Sequence, residues 1–165
     1  MCTHSYEDFE KVIMKISSDS ACGSDRISVT LLKRLVKPVS KILHSIYMKS
    51  LLAGRFPSNL KHAMIVGIHK GGPKTIAKNY RPISLTSYLS KVLERIMRLD
   101  IVEYLNTNDL WDIRQHGSRA GRSTLSQLLE HQDKIIQAME NGSNLDVIYL
   151  DFEKAHDKVD HDVLL

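Results

Sequence analysis

The sequence has few cysteines and no long hydrophobic run, and both absences exclude classes of protein. Its two cysteines, Cys2 and Cys22, are too few for a disulfide framework and lack the spacing of a metal site, which favours a reducing compartment. No window approaches the roughly 18 apolar residues of a membrane span, and the N-terminus lacks the basic start and apolar core of a signal peptide. We therefore expect a soluble, intracellular protein with no membrane partner.

The sequence also lacks internal repeats, low-complexity stretches and long polar linkers, so nothing divides it into separate domains. A chain of 165 residues with 42% hydrophobic and 25% charged residues can form one domain with a real core. The net charge of +4 leans only slightly toward a polyanionic partner. Composition alone therefore leaves the function open.

The first third of the chain shows helical patterning. Ser5 is a candidate cap for a helix with apolar positions at Phe9, Val12, Ile13 and Ile16. After a turn-rich break at 17–25, helical patterns cover 28–36 and 38–53, with Gly54 as a stop signal. These segments predict a helical lead-in layer.

The remainder mixes strand and helix signals. The apolar run 63–68 predicts a strand followed by a glycine-containing loop, and Thr86 or Ser87 is a candidate cap for a helix reaching about Asn106. A polar loop over 107–122 leads to a further helix over 123–140, which ends at Asn141 and Gly142.

The segment 145–150 is apolar and rich in β-branched and aromatic residues, and a turn signal precedes it. This pattern predicts a buried strand that ends at Asp151. A carboxylate at a strand end is a candidate metal ligand, although a turn or helix-cap residue is the alternative reading. The nearby acidic residues and histidines from His156 to Asp162 could also suggest a metal hydrolase, but Asp160-His161-Asp162 more simply opens a helix.

Two basic loops are further candidates. Lys70 follows the first predicted strand, and Arg81 lies between Tyr80 and Pro82; both could also be ordinary exposed cations. Arg119, Gly121 and Arg122 precede a helix start. They could cradle a phosphate backbone or form a plain helix-entry loop.

Four strings together carry a family resemblance: GRFPSNLKHAMIVGIHKGG, NYRPISLTSYLSKVLERI, QHGSRAGRSTLSQLL and YLDFEKAHDKVDHD, in this order. The chain resembles the reverse transcriptase domain of non-LTR (LINE-type) retrotransposons over nearly its whole length. The resemblance implies an α+β fold made of helix-rich fingers and a partial palm. It implies one partial domain over 1–165, with a helical lead-in over about 1–60, fingers over 61–140 and the start of a palm over 141–165.

The resemblance also implies roles for individual residues. Asp151 is similar to the first catalytic aspartate, a ligand of Mg²⁺ or Mn²⁺ in two-metal nucleotidyl transfer. Lys70 and Arg81 would contact the incoming deoxynucleoside triphosphate. His156 stands where the family has a bulky aromatic under the nucleotide sugar, which puts sugar discrimination in doubt.

The loop before the 123–140 helix would contact the RNA template and DNA primer. The matching positions are Gln115, Gly117, Arg119, Gly121 and Arg122. His116, Ser118 and Ala120 depart from the Phe, Phe and Pro that the family prefers there, and Gly67 and His69 depart from its proline-rich string before Lys70.

The resemblance implies that the parent activity is RNA-directed DNA synthesis. The later hairpin with further aspartates is absent from the 165 residues, so we expect this chain alone to be inactive and to bind metal weakly. The unpaired edge of the 145–151 strand is an expected self-association site. The alternatives are a non-catalytic nucleic-acid-binding module and a functionless relic.

Overall fold

The computed structural model of the chain describes residues 4–18, 21–152 and 158–164 and shows an α+β fold rich in helix. Its elements are α1 (Tyr6–Met14), α2 (Val29–Arg34), α3 (Val36–Ala53), β1 (Ala63–His69), β2 (Tyr80–Thr86), α4 (Tyr88–Thr107), α5 (Thr124–Glu140) and α6 (His161–Leu164). The predicted fold class is confirmed. The chain forms two compact units, one up to Leu110 and one from Trp111 onward.

Local capping explains where α1 and α4 begin. The Asp8 carboxylate accepts a hydrogen bond from the Ser5 backbone N–H at 3.0 Å, and Ser87 Oγ accepts one from the N–H of Leu89 at 3.1 Å. These side chains replace the partners that the first turn of a helix lacks. At the other end of α3, Gly54 adopts a left-handed conformation with φ +59°, which terminates the helix. The predicted caps and the predicted stop signal are confirmed.

The hydrophobic core of the first unit lies among α1, α2, α3 and α4. Its buried members are Phe9, Ile13, Ile16, Val29, Leu32, Leu43, Tyr47, Tyr88, Val92, Leu93 and Ile96. The apolar face of α4 that periodicity predicts is therefore buried, as expected of a helix packed on a core. Asp100 of α4 adds polar contacts beside this core. It accepts a hydrogen bond from Tyr47 Oη of α3 and contacts His4 Nε2, both at 2.7 Å.

The loop before α2 closes over the start of α4. A Cβ atom on Gly23 would lie 2.7 Å from the backbone nitrogen of Ser87, so only glycine fits there. The hydroxyl of Tyr88 donates to the carbonyl of Ala21 at 2.7 Å, and Ser87 Oγ donates to Asp25. This contact fixes the junction where β2 ends and α4 begins.

The two strands form an antiparallel hairpin. The register pairs Ala63 with Thr86 and His69 with Tyr80, and most side chains on both strands are exposed. The prediction of β1 is confirmed. β2 was not predicted, because a proline such as Pro82 marks a turn or an edge more often than a strand interior. Here Pro82 lies opposite Gly67 in a two-stranded ribbon, in which both strands are edge strands.

In the second unit, Ser123 caps α5, and its Oγ accepts a hydrogen bond from the N–H of Ser126 at 3.1 Å. The predicted buried strand over 145–150 is wrong. That segment is irregular and exposed, with Ile148 82% and Leu150 87% accessible. No strand in the described part of the chain pairs with it, and a strand needs a neighbour to satisfy its backbone groups. The strand edge on which the expected self-association depended is therefore also not found.

The Asp160 carboxylate accepts hydrogen bonds from the N–H groups of Asp162 and Val163 at the start of α6. This is the cap role that the sequence favoured for this residue. Among the described residues, no helix combines the length and apolarity that crossing a membrane requires.

Candidate nucleotide and nucleic-acid interface

Lys70 and Arg81 lie at the loop end of the β1–β2 hairpin. Arg81 pairs with Ile68 in the register, and the N–H of Lys70 donates to the carbonyl of Asn79 at 2.8 Å, which extends the pairing one residue beyond the strand. Because side chains alternate along a strand, Lys70 and Arg81 share one face as diagonal neighbours, roughly 7–8 Å apart. The structure brings these two predicted cations together.

The loop between the strands is held by its own hydrogen bonds. Asn79 Nδ2 donates to the carbonyl of Pro73 at 2.9 Å, and Tyr80 Oη donates to the carbonyl of Lys74 at 3.0 Å. His69 Nε2 lies 3.0 Å from the carbonyl oxygen of Gly72, whose φ of +77° favours glycine. Hydrogen bonds of His69, Asn79 and Tyr80 therefore hold the loop, and its cations are not needed for that.

The cations of this hairpin have no neutralising neighbour in the part of the chain that the structure describes. Lys70, Lys74, Lys78 and Arg81 are exposed, and none of them forms an ion pair with another described residue. The two charges on one face can therefore bind an anionic group without first breaking an internal contact. Arg81 offers a planar fork for phosphate oxygens, and Lys70 offers a mobile point charge.

In the second unit, Arg119 is held within its own loop. Its Nη1 donates to the carbonyl of Asp112 at 3.0 Å, and its guanidinium lies 5.7 Å from the ring centroid of Trp111. Gln115 Nε2 donates to the carbonyl of Gly117 at 2.9 Å. Two of the predicted template-contacting side chains thus also stabilise the loop.

His116 connects this loop to α5 through its side chain, and the sequence did not predict that role. It is only 5% exposed; its Nδ1 lies 2.9 Å from Ser126 Oγ and its Nε2 lies 3.0 Å from Glu130 Oε2. Arg122 Nη1 lies 3.5 Å from the same Nε2. The sequence did contain a sign of this role, because His116 stands where the family prefers phenylalanine. A histidine buried at that position needs polar partners.

The glycines of the loop differ in what they require. Gly121 has φ +75°, where an L side chain is strained, so glycine is needed at that position. A Cβ on Gly117 would make only an ordinary contact, 3.7 Å from Gln115 Nε2. Gly121 therefore shapes the approach to α5, whereas neither the φ of Gly117 nor the space around it requires glycine.

Charge partners lower two carboxyl pKa values around this loop. Hydrogen bonds from the side chain and then the backbone of Arg114 lower the pKa of Asp112 to about 2. Hydrogen bonds from Lys134 and then from His116 lower the pKa of Glu130. Both carboxylates are therefore ionised at neutral pH and offset part of the positive charge of the loop.

Asp151 is exposed, and it is not part of a metal-binding cluster of described residues. Among the described residues, no three His, Cys, Asp or Glu side chains come together in a way that could hold a metal ion. Mg²⁺ bound by proteins usually takes one or two carboxylates together with phosphates and water. The residues present do not by themselves fit a complete metal centre. His156, the predicted sugar-contacting residue, lies outside the described residues.

The family model for reverse transcriptase (RNA-dependent DNA polymerase) matches residues 68–165, which include the hairpin loop, the α5 loop and Asp151. The chain therefore belongs to the reverse transcriptase family. Its relatives include RNA-directed DNA polymerases from transposons and a mobile element, in agreement with the resemblance to retrotransposon reverse transcriptases.

Three relatives show how much of such a protein the chain represents. It is 33% identical over 162 residues to the probable RNA-directed DNA polymerase from transposon BS of Drosophila melanogaster, which covers 96% of this chain. It is 32% identical over 152 residues, 92% of this chain, to the probable RNA-directed DNA polymerase from transposon X-element of the same species. It is 30% identical over 160 residues, 96% of this chain, to the RNA-directed DNA polymerase from mobile element jockey, also of that species. The chain spans only 17–18% of the length of these relatives and corresponds to one part of such a polymerase.

Proposed function

We propose that this chain supplies the triphosphate-contacting hairpin and the template-contacting loop of an RNA-directed DNA polymerase. The observation that carries the proposal is the pair Lys70 and Arg81, exposed on one face of the hairpin with no carboxylate partner among the described residues. Two unpaired cations with diagonal spacing suit the oxygens of a deoxynucleoside triphosphate. Family membership makes that nucleotide the expected ligand.

The loop before α5 has a second role in this proposal. Arg119 and Arg122 would contact the phosphates of an RNA template or DNA primer, with Gln115, Gly117 and Gly121 shaping the loop. Both arginines have contacts within the loop. Binding of nucleic acid would therefore exchange these contacts for phosphate contacts. The loop is suited to positioning a bound nucleic-acid strand more than to attracting a free one.

Asp151 would be one carboxylate of a site for Mg²⁺ or Mn²⁺ in the polymerase. Divalent ions supply charge stabilisation in nucleotidyl transfer, and a site of this kind needs more than one carboxylate. With Asp151 alone, the 165 residues should not extend a primer. His156 would lie near the sugar of the nucleotide, in place of the aromatic residue of the family.

The hairpin assignment is tested by equilibrium binding of a fluorescent deoxynucleoside triphosphate to the 165-residue chain. Lys70→Ala and Arg81→Ala should each weaken binding on the order of tenfold, since a charge-assisted hydrogen bond contributes about 1.5–3 kcal/mol. Lys61→Ala removes an exposed cation next to β1 and is the matched control. Equal affinities for all four proteins would show that the hairpin does not bind the triphosphate.

The role of Asp151 is tested by primer extension on an RNA template. The 165-residue chain should give no product, whereas a chimaera in which it replaces the matching segment of the transposon BS polymerase should give product that Asp151→Ala abolishes. Circular dichroism and nucleotide binding of the chimaera show whether it is folded. An active Asp151→Ala chimaera would contradict the metal-ligand role.

A further inference from the structure

The chain has no acidic residue between Asp25 and Glu94. This stretch of 68 residues contains 13 of the 23 lysines and arginines, while the rest of the chain contains all 19 acidic residues. A modest net charge of +4 therefore conceals a strongly positive segment. The segment includes α2, α3 and the hairpin, all within the first unit.

The lysines of α3 illustrate the consequence. Lys37, Lys41 and Lys49 are exposed and form no ion pair with any described residue. In α1 and α5, by contrast, a lysine is neutralised by a carboxylate of the same helix. Lys11 pairs with Asp8 at 3.1 Å in α1, and Lys134 pairs with Glu130 at 2.8 Å in α5. Because α3 contains no carboxylate, its lysines have no such partner along the helix.

These lysines lie on the side of α3 that faces away from the core. The buried side carries Ser40, Leu43 and Tyr47. Lys41 and Lys49 line one shallow depression together with Ile42, Ser45 and Ile46. With a rise of 1.5 Å per residue, the row from Lys37 to Lys49 is about 18 Å long, which spans several phosphates of a nucleic-acid strand.

We propose that the row formed by Lys37, Lys41 and Lys49 binds the phosphate backbone of a nucleic-acid strand, through residues other than those assigned to the hairpin and the α5 loop. This inference rests on the proposed function, because it assumes that the chain handles nucleic acid. Flexible ammonium groups in a row suit a sequence-independent backbone contact. A positive field of one sign over 68 residues favours a long polyanion over a single carboxylate.

The test is fluorescence anisotropy with a short labelled single-stranded RNA at several salt concentrations. Lys41→Gln with Lys49→Gln should weaken binding on the order of tenfold at low salt and reduce the salt slope by about 1.4, that is, about 0.7 for each lost phosphate contact. Adding Lys37→Gln should reduce the slope further. The matched control is Lys11→Gln with Lys134→Gln, which removes the same charge from paired lysines and should leave binding nearly unchanged.

Lysine acetylation of the unmodified chain gives a second measurement that needs no variant. RNA should protect Lys41 and Lys49 and leave Lys11 and Lys134 reactive. Equal effects of the α3 and control variants, equal acetylation, or no RNA binding at all would each overturn the inference. It would also be overturned if polyglutamate binding, and not RNA binding, depended on the α3 lysines. Deoxynucleotide binding that depends on Lys70 would still support the proposed function in each of these cases.

Discussion

His116 shows how a polar residue occupies a buried position in this fold. Its two ring nitrogens contact Ser126 and Glu130, so the ring packs like an aromatic side chain while its polar atoms keep partners. Those partners have other contacts of their own. Ser126 Oγ also donates to the carbonyl of Ser123, and Glu130 also binds Lys134.

We expect His116→Ala to destabilise the α5 loop by about 1–3 kcal/mol, because it removes buried packing and two polar contacts. His116→Phe should cost less, since the ring volume stays and the former partners keep their other contacts. Hydrogen exchange of the α5 amides measures both effects. If Phe destabilises as much as Ala, the polar contacts and not the packing hold the loop.

Asp112 gives a prediction for pH. Its pKa of about 2 lies below the ordinary value of 3.8, so its ionised form stabilises the folded loop. That contribution is complete above the ordinary pKa and is lost as the pH falls through about 2. A carboxyl NMR titration should give this low midpoint, and Arg114→Ala should return it toward the ordinary value. An unchanged midpoint in that variant would show that Arg114 is not the cause.

At the residue level, the sequence could predict candidate cations but not what they contact. Lys70 and Arg81 are exposed, as expected of residues that bind a ligand. Arg119 lies against Trp111 and Asp112, seven residues or more before it in the chain. Such contacts depend on the path of the loop, and neither periodicity nor local propensity encodes that path.

Among the elements, helices were predictable because their signals are local. Ser5 and Ser87 each precede a helix where the capping pattern predicts it, and the helix predicted over 123–140 is found with Ser123 as its cap. Strands were less predictable, because pairing decides them: β1 was predicted and β2 was not. The segment 145–150 has strong strand propensity but no partner strand among the described residues, whereas β2 forms despite Pro82 because β1 lies beside it.

The loop before α2 gives a prediction at the level of elements. Gly23→Ala places a Cβ 2.7 Å from the Ser87 nitrogen and 2.8 Å from the Thr86 carbonyl carbon, both backbone atoms. We expect a loss of about 1–3 kcal/mol, because the junction of β2 and α4 must shift. Urea denaturation measures it. Gly117→Ala is the uncrowded control, since a Cβ there would make only an ordinary contact at 3.7 Å and the φ of Gly117 is not positive.

For the whole molecule, stability should be concentrated in the first unit. All buried apolar residues among those described lie between Phe9 and Ile96, and α5 has none. Because buried apolar contacts determine the free energy of local opening, α4 should exchange its amide hydrogens far more slowly than α5. Hydrogen exchange followed by mass spectrometry compares them. Equal protection of the two helices would show that α5 is stabilised by something other than its own buried surface.

The separation of charge along the chain has a practical consequence. Residues 26–93 carry only positive side-chain charges, and all the acidic side chains lie outside that stretch, so the sequence pI near 9.0 describes neither part. The chain should behave as a block polyampholyte, retained at neutral pH by both cation-exchange and anion-exchange resins at low ionic strength. Molecules of this kind attract one another in dilute buffer and separate as salt is added. Moderate ionic strength should therefore keep this protein dispersed better than desalting does.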